Sequence, residues 1–172
     1  YLDRFRREID VLAALEDDNI VSILNIGECE QDRIRKPYLM MPFLEGATLD
    51  RIIAKKERLA VERCIKIIVQ VCQGLRAAHR QDIVHRDIKP SNIFLRSNGG
   101  VKIIDFGIAR MLSLESTVGR VGTFRYMSPE QVEGREVDRR SDLFSLGVVF
   151  YELLANKHPF FSDSKNEDQT KV

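Results

Sequence analysis

The residues with the clearest chemical potential lie in one stretch, His85-Arg86-Asp87-Ile88-Lys89-Pro90-Ser91-Asn92, with Asp105-Phe106-Gly107 beginning thirteen residues after Asn92. Asp87, Asn92 and Asp105 offer oxygen acceptors, and Lys89 adds a cation. Oxygen donors suit a hard cation such as Mg²⁺. A carboxylate with a neighbouring cation suits phosphoryl transfer, where positioning and charge stabilisation supply most of the catalysis.

The sequence between these residues must bring them together. Ile93-Phe94-Leu95 and Val101-Lys102-Ile103-Ile104 are short apolar runs around Arg96-Ser97-Asn98-Gly99-Gly100. Such a pair with a polar, glycine-containing tip reads as a β-hairpin. Its ends converge, so Asp87 and Asn92 on the way in meet Asp105 on the way out.

A lone His-Arg-Asp would say little. The full run, with Lys89, Asn92 and Asp105-Phe106-Gly107 at these spacings, resembles the catalytic loop and metal-binding motif of eukaryotic-type protein kinases. The look is that of bacterial serine/threonine members, and the resemblance extends to residue 161. It implies an α+β fold, a mostly helical large lobe with remnants of a small-lobe sheet. The division it implies is a partial small lobe over 1–41, a hinge at 42–46, a partial large lobe over 47–161 and a polar tail at 162–172.

The resemblance also implies roles. Asp87 would orient the proton of a substrate hydroxyl, and Lys89 would stabilise the transferred phosphoryl. Asn92 and Asp105 would hold Mg²⁺ against the phosphates of ATP. Glu8 matches the glutamate that pairs with an ATP-anchoring lysine. Met41 would be the gatekeeper, Pro42 would accept from the adenine amino group through its carbonyl, and Leu44 would offer both backbone groups to the purine. Phe94 and Ile104 would touch the adenine region. Phe106 joins Leu12, Ile23 and His85 in a regulatory stack, and Gly107 lets the backbone turn. Thr123 matches the threonine that bonds the catalytic Asp and Lys. With Lys89 it points to serine and threonine acceptors on protein substrates, autophosphorylation among them. Arg86 would receive a phosphate on the activation segment, at Thr117 first and Ser116 second. Glu130, in Ser128-Pro129-Glu130, would be buried and await an arginine from later helices. Asp142 matches the aspartate that accepts from the catalytic-loop backbone.

The elements around this stretch follow from periodicity. Phe5, Ile9, Leu12 and Ala13 predict a helix over 3–16. Ile20 to Ile26 and Lys36 to Met41 read as strands joined by a loop from Glu28 to Arg35. A short helix from Thr48 to Lys56 has Thr48 as its cap. A long helix over 61–80 carries the stripe Ile65, Ile68, Val69, Cys72, Leu75 and His79, with His79 read as a packing or capping residue. Residues 139–156 are apolar nearly all round, the pattern of a buried helix.

Composition sets the limits. The chain has 172 residues, 44% hydrophobic and 31% charged, with net charge +1. That suits one domain with a sizeable core, and gives no reason to expect nucleic acid or a membrane surface as partner. Cys64 and Cys72 read as small buried hydrophobes in a reducing cytosol, and Cys29 has no assignment. No run reaches the ~18 apolar residues of a membrane span. The expected location is cytoplasmic, with any anchor of a parent protein outside this stretch. Neither a glycine-rich phosphate-covering loop nor an Ala-x-Lys strand occurs in the sequence. The 172 residues alone are therefore expected to be marginally stable and nearly inactive. Two other readings stand beside the kinase: a pseudokinase-like scaffold, disfavoured by the intact Asp87, Asn92 and Asp105, and a small-molecule phosphotransferase, disfavoured by the activation segment.

Overall fold

A computed structural model of the chain describes residues 15–31, 34–55, 58–106 and 124–161. The predicted helix at 3–16 lies outside them but for its last two residues, which are not helical. Glu8, Leu12, Gly107, Ser116, Thr117, Thr123 and the polar tail also fall outside the described residues.

Two helices carry the core. α2 spans Val61–His79 and α4 spans Arg139–Ala155, and between them in sequence lie residues 85–92 and the hairpin that follows them. α2 begins with Glu62 in its first turn and ends with Arg76 and His79 in its last, the charge order the helix dipole favours. Its buried face is Cys64, Ile67, Val71, Gly74, Leu75 and Ala78. The predicted stripe is therefore displaced by about one residue: Ile65, Val69 and Cys72 are exposed. The cause is close approach. A Cβ on Gly74 would stand 3.0 Å from the Asn19 carbonyl oxygen and 2.9 Å from Ile103 Cδ1. Only the face bearing glycine and alanine lets the helix approach so closely. The reading of Cys72 as buried is corrected, while Cys64 is fully buried.

α4 starts at Asp138, whose carboxylate accepts from Arg140 N–H at 2.8 Å, and ends at Asn156 in the left-handed region. Ser141, Asp142, Ser145, Leu146, Val148, Val149 and Leu153 are buried. Leu143, Tyr151 and Leu154 are exposed, so the helix is not buried all round. Among the described residues, α2 and the 3₁₀ turn Phe124–Tyr126 pack against it.

The predicted strands shift. β1 is Asn25–Gln31 and β2 is Ile34–Met40, antiparallel with Asn25 opposite Met40 and Gln31 opposite Ile34. Most of the predicted loop is thus strand, because ladder hydrogen bonds satisfy a polar stretch as well as an apolar one. The apolar Ile20 and Val21 are buried instead beside the second sheet. That sheet runs β3 (Gly46–Thr48), β4 (Ile93–Arg96), β5 (Val101–Ile103), all antiparallel, which is the predicted hairpin plus one strand. Val21 N–H donates to the Ile103 carbonyl at 2.9 Å and Ile103 N–H donates to the Asn19 carbonyl at 2.7 Å. Asn19 Nδ2 donates to the Val101 carbonyl, Gln70 Oε1 accepts from Val101 N–H, and Lys102 Nζ donates to the Ile20 and Asp17 carbonyls. Burial lowers the pKa of Lys102. The outer edge of β5 is thereby covered.

α1, Leu49–Ala54, follows β3 without a break. Thr48 stands at its cap position but makes no side-chain cap bond. Its backbone is spent in β3, opposite Phe94. Gly46 opens β3 close against β4: its φ is +145° and a Cβ there would fall 2.1 Å from the Leu95 carbonyl oxygen. Short α3, Pro129–Val132, lies between the Phe124–Tyr126 turn and α4. Among the described residues no helix is long and apolar enough to cross a membrane.

Gly46→Ala is expected to destabilise the protein by about 2–4 kcal/mol, from a backbone conformation close to glycine-only and a clash with β4. Urea unfolding measures it, and a loss under about 0.5 kcal/mol, the range of an ordinary surface change, would contradict this packing.

Candidate active site

The site is built on one buried carboxylate. Asp142 is 1% exposed. Its Oδ2 accepts from His85 N–H at 2.9 Å and its Oδ1 from Arg86 N–H at 2.8 Å. His79 Nε2 reaches Oδ2 at 2.8 Å, so the last residue of α2 supports the carboxylate. Two successive amides can face one carboxylate because Arg86 adopts φ +65°, unusual for a residue with a side chain. A buried carboxylate without such donors would be strongly unfavourable.

His85 is fully buried. Its Nδ1 accepts from Asp87 N–H at 3.2 Å, so Nε2 carries the ring proton and donates to the Ile104 carbonyl at 3.1 Å. Its ring lies 4.6 Å from that of Phe106. Burial pushes its pKa down, opposed in part by Asp142, the Ile104 carbonyl, Asp87 and Asp105. Ile23, from the same expected stack, is half-buried against the core.

At the rim, Asp87 Oδ2 accepts from Lys89 Nζ at 2.7 Å and from Asn92 Nδ2 at 3.2 Å. Asn92 Nδ2 also donates to the Asp87 carbonyl at 2.9 Å. Pro90 opens the 3₁₀ turn Pro90–Asn92, where its missing N–H is no loss. Asn92 is buried, and its own carbonyl accepts from Ile104 N–H at 2.9 Å. That bond brings Asp105, exposed and at φ +56°, to the same rim. The structure thus joins Asp87, Lys89 and Asn92 directly and sets Asp105 beside them through the backbone. Phe94 and Ile104 are half-buried nearby in sequence. Residues 41–45 are irregular between β2 and β3, with Met41, Pro42 and Leu44 half-buried and Phe43 exposed.

Among the described residues no three His, Cys, Asp or Glu side chains converge as a metal cluster. The donors on offer are the Asp105 carboxylate and Asn92 Oδ1, whose Nδ2 is already engaged with Asp87. Few protein ligands, all oxygen, fit a cation that keeps water and phosphate in its shell, as Mg²⁺ does.

Glu130 is half-buried. Its carboxylate accepts from the Ser141 hydroxyl, which is the first cause of its lowered pKa. Gln131, which the sequence reading passed over, donates from Nε2 to the Arg86 carbonyl at 2.8 Å. The Ser-x-x-Gln spacing of a capping box was the available signal. Nearby, Tyr126 donates its hydroxyl to Glu152 at 2.6 Å, and Ser145 Oγ donates to the Tyr126 carbonyl.

Asp142→Ala would leave the His85 and Arg86 amides without their acceptor, a loss of about 3–5 kcal/mol. Asp142→Asn, which keeps one acceptor oxygen, is expected to lose less. Equal losses in urea unfolding would contradict the role of the second oxygen. His85 sets a pH dependence. In the unfolded chain it takes up a proton below about pH 6.5, whereas the buried ring resists it. Its contribution to stability is therefore present above pH 6.5 and is lost as pH falls below that. Tm should drop from pH 7 to pH 5, with a shallower slope in His85→Phe, and parallel slopes would refute this origin.

The protein kinase domain family matches residues 2–172. Serine/threonine-protein kinase PknB of Mycolicibacterium smegmatis is 44% identical over 166 residues, covering 94% of this chain and 27% of that protein. A probable serine/threonine-protein kinase of Streptomyces coelicolor is 42% identical over 166 residues, 94% of this chain and 25% of its own length. PknB of Mycobacterium tuberculosis H37Rv is 42% identical over the same length, with coverages of 94% and 26%. The chain spans about a quarter of the length of these relatives. With nearly its whole length matched by the domain family and by such relatives, the chain belongs to the protein kinase family, in the company of bacterial serine/threonine kinases.

Proposed function

We propose that this chain is the catalytic-loop portion of a protein kinase that transfers the γ-phosphoryl group of ATP to serine and threonine hydroxyls of protein substrates. The observation that carries the reading is the Asp87 carboxylate, held by Lys89 Nζ at 2.7 Å and Asn92 Nδ2 at 3.2 Å at the rim where Asp105 emerges. The similarity to bacterial serine/threonine-protein kinases supports the acceptor class.

On this reading Asp87 hydrogen-bonds the attacking hydroxyl and orients it toward phosphorus. Lys89, now on Asp87, shifts toward the transferred phosphoryl as charge develops. Asn92 Oδ1 and the Asp105 carboxylate would hold Mg²⁺, which would neutralise phosphate charge when bound. The irregular Met41, Pro42 and Leu44 form the hinge against the purine, with residues 1–41 in the small lobe and 47–161 in the large one, and Phe94 and Ile104 close the adenine side. Glu8 would pair with a lysine, Thr123 would bond Asp87 and Lys89, and Arg86 would answer phosphate on Thr117 or Ser116, autophosphorylation being one source. The 172 residues alone transfer little, since they contain neither a glycine-rich loop nor an Ala-x-Lys strand.

The test uses the longer protein to which this chain belongs, with ATP, Mg²⁺ and a basic protein substrate. Asp87→Asn and Asp105→Ala should each lower transfer by about 10²-fold or more. Phosphorylation that survives Asp105→Ala would remove the kinase reading, and the absence of transfer by the unsubstituted protein would favour a scaffold.

A further inference from the structure

We propose that Gln131 is a positioning residue for Asp87, tying the start of α3 to the peptide that carries the catalytic carboxylate. The proposal rests on the role given to Asp87 above. The Arg86–Asp87 peptide is held at both poles. Its N–H donates to His85 Nδ1 at 3.2 Å, and its carbonyl, that of Arg86, accepts from Gln131 Nε2 at 2.8 Å. The preceding amide of Arg86 is already committed to Asp142. The loop is therefore gripped by α4 through Asp142 and by α3 through Gln131.

The orientation of the Gln131 amide is fixed from its other end. Oε1 accepts from Ser128 N–H at 3.1 Å and from Ser128 Oγ at 3.3 Å, closing the capping box of α3 over a fully buried serine. With the oxygen turned to Ser128, the nitrogen faces the loop. Glutamate would cap α3 as well as glutamine does. It could not donate to the Arg86 carbonyl, so the cap does not account for the amide and the loop contact does. Rotation of that peptide would move the Asp87 carboxylate away from Lys89 and Asn92, and displacements of about 1 Å at a reacting group can lower rates by about 10²-fold.

Gln131→Glu in the longer protein separates the two functions of the side chain. It keeps the acceptors for Ser128 and loses the donor to Arg86. The expected result is kcat lowered by about 10- to 100-fold with KM for ATP little changed and Tm retained. Hydrogen exchange of the peptide containing residues 86–88 should be faster, with α2 unchanged. Gln131→Met, which is neutral, should lose kcat to a similar degree and also lower Tm, which distinguishes the missing donor from the added charge. A Gln131→Glu enzyme with kcat within about 2-fold of the original, or with unaltered exchange at 86–88, would overturn the proposal. If the unsubstituted protein shows no Asp105-dependent transfer, the kinase reading falls, and the exchange comparison alone decides whether Gln131 holds the loop.

Discussion

The rest of the structure depends on the burial of one negative charge. Asp142 is buried in the first turn of α4, where a carboxylate is tolerated only if donors surround it. Its donors come from two places, the end of α2 and the catalytic loop. That single requirement sets α2 and α4 together at this end, with Cys64 Sγ reaching the Leu153 carbonyl near the opposite ends of both helices. It also forces Arg86 into the left-handed region, and the turn so made delivers Asp87 to the rim. The strain at Arg86, of order 1–3 kcal/mol for such a residue, persists because two charge-assisted bonds flank it.

The rim has a second dependence, on Ile104. β5 ends at Ile103, and Ile104 gives both of its backbone groups to the catalytic loop. Its N–H donates to the Asn92 carbonyl and its carbonyl accepts from His85 Nε2. Asp105 follows immediately, so its place relative to Asn92 is fixed by these two bonds more than by the hairpin ladder. The strand that leads there is held on its far side by Asn19 and Val21 and from α2 by Gln70. The only neutral tautomer of His85 that serves both Asp87 and Ile104 carries its proton on Nε2, so a second proton would meet the Asp87 N–H head-on.

Much of this was legible in the sequence. The hairpin between Asn92 and Asp105 followed from two apolar runs around Asn-Gly-Gly, and the long helices from their 3.6-residue periods. What periodicity could not give was the choice between adjacent faces. Ile65, Val69 and Cys72 form as good a stripe as Cys64, Ile67 and Val71. The decision lay with Gly74 and its distance from Asn19, a contact between residues 55 positions apart. Ile20 and Val21 misled for a related reason. Their β-forming composition was read as part of the β1–β2 hairpin, but their neighbour is β5, which lies about eighty residues later. For Glu130 the resemblance pointed to an arginine, whereas its half-buried carboxylate is met here by the Ser141 hydroxyl of α4.

Three of the residues that the sequence did not disclose share a chemistry. Asn19, Gln70 and Gln131 are amides, and Asn92, which the motif did disclose, is a fourth. A carboxylate only accepts, so it serves where N–H groups converge, as at Asp142. An amide accepts at one end and donates at the other. It can therefore join two backbone segments, taking an N–H from one and giving to a carbonyl of the other, with no charge to desolvate. Gln131 does this between Ser128 and Arg86, and Gln70 uses both ends to tie α2 to the hairpin tip at Gly99 and Val101. Sequence reading weights residues that ionise or ligate, because their chemistry is recognisable alone. The chemistry of an amide is defined by which two segments it lies between, and that is information only the folded chain contains.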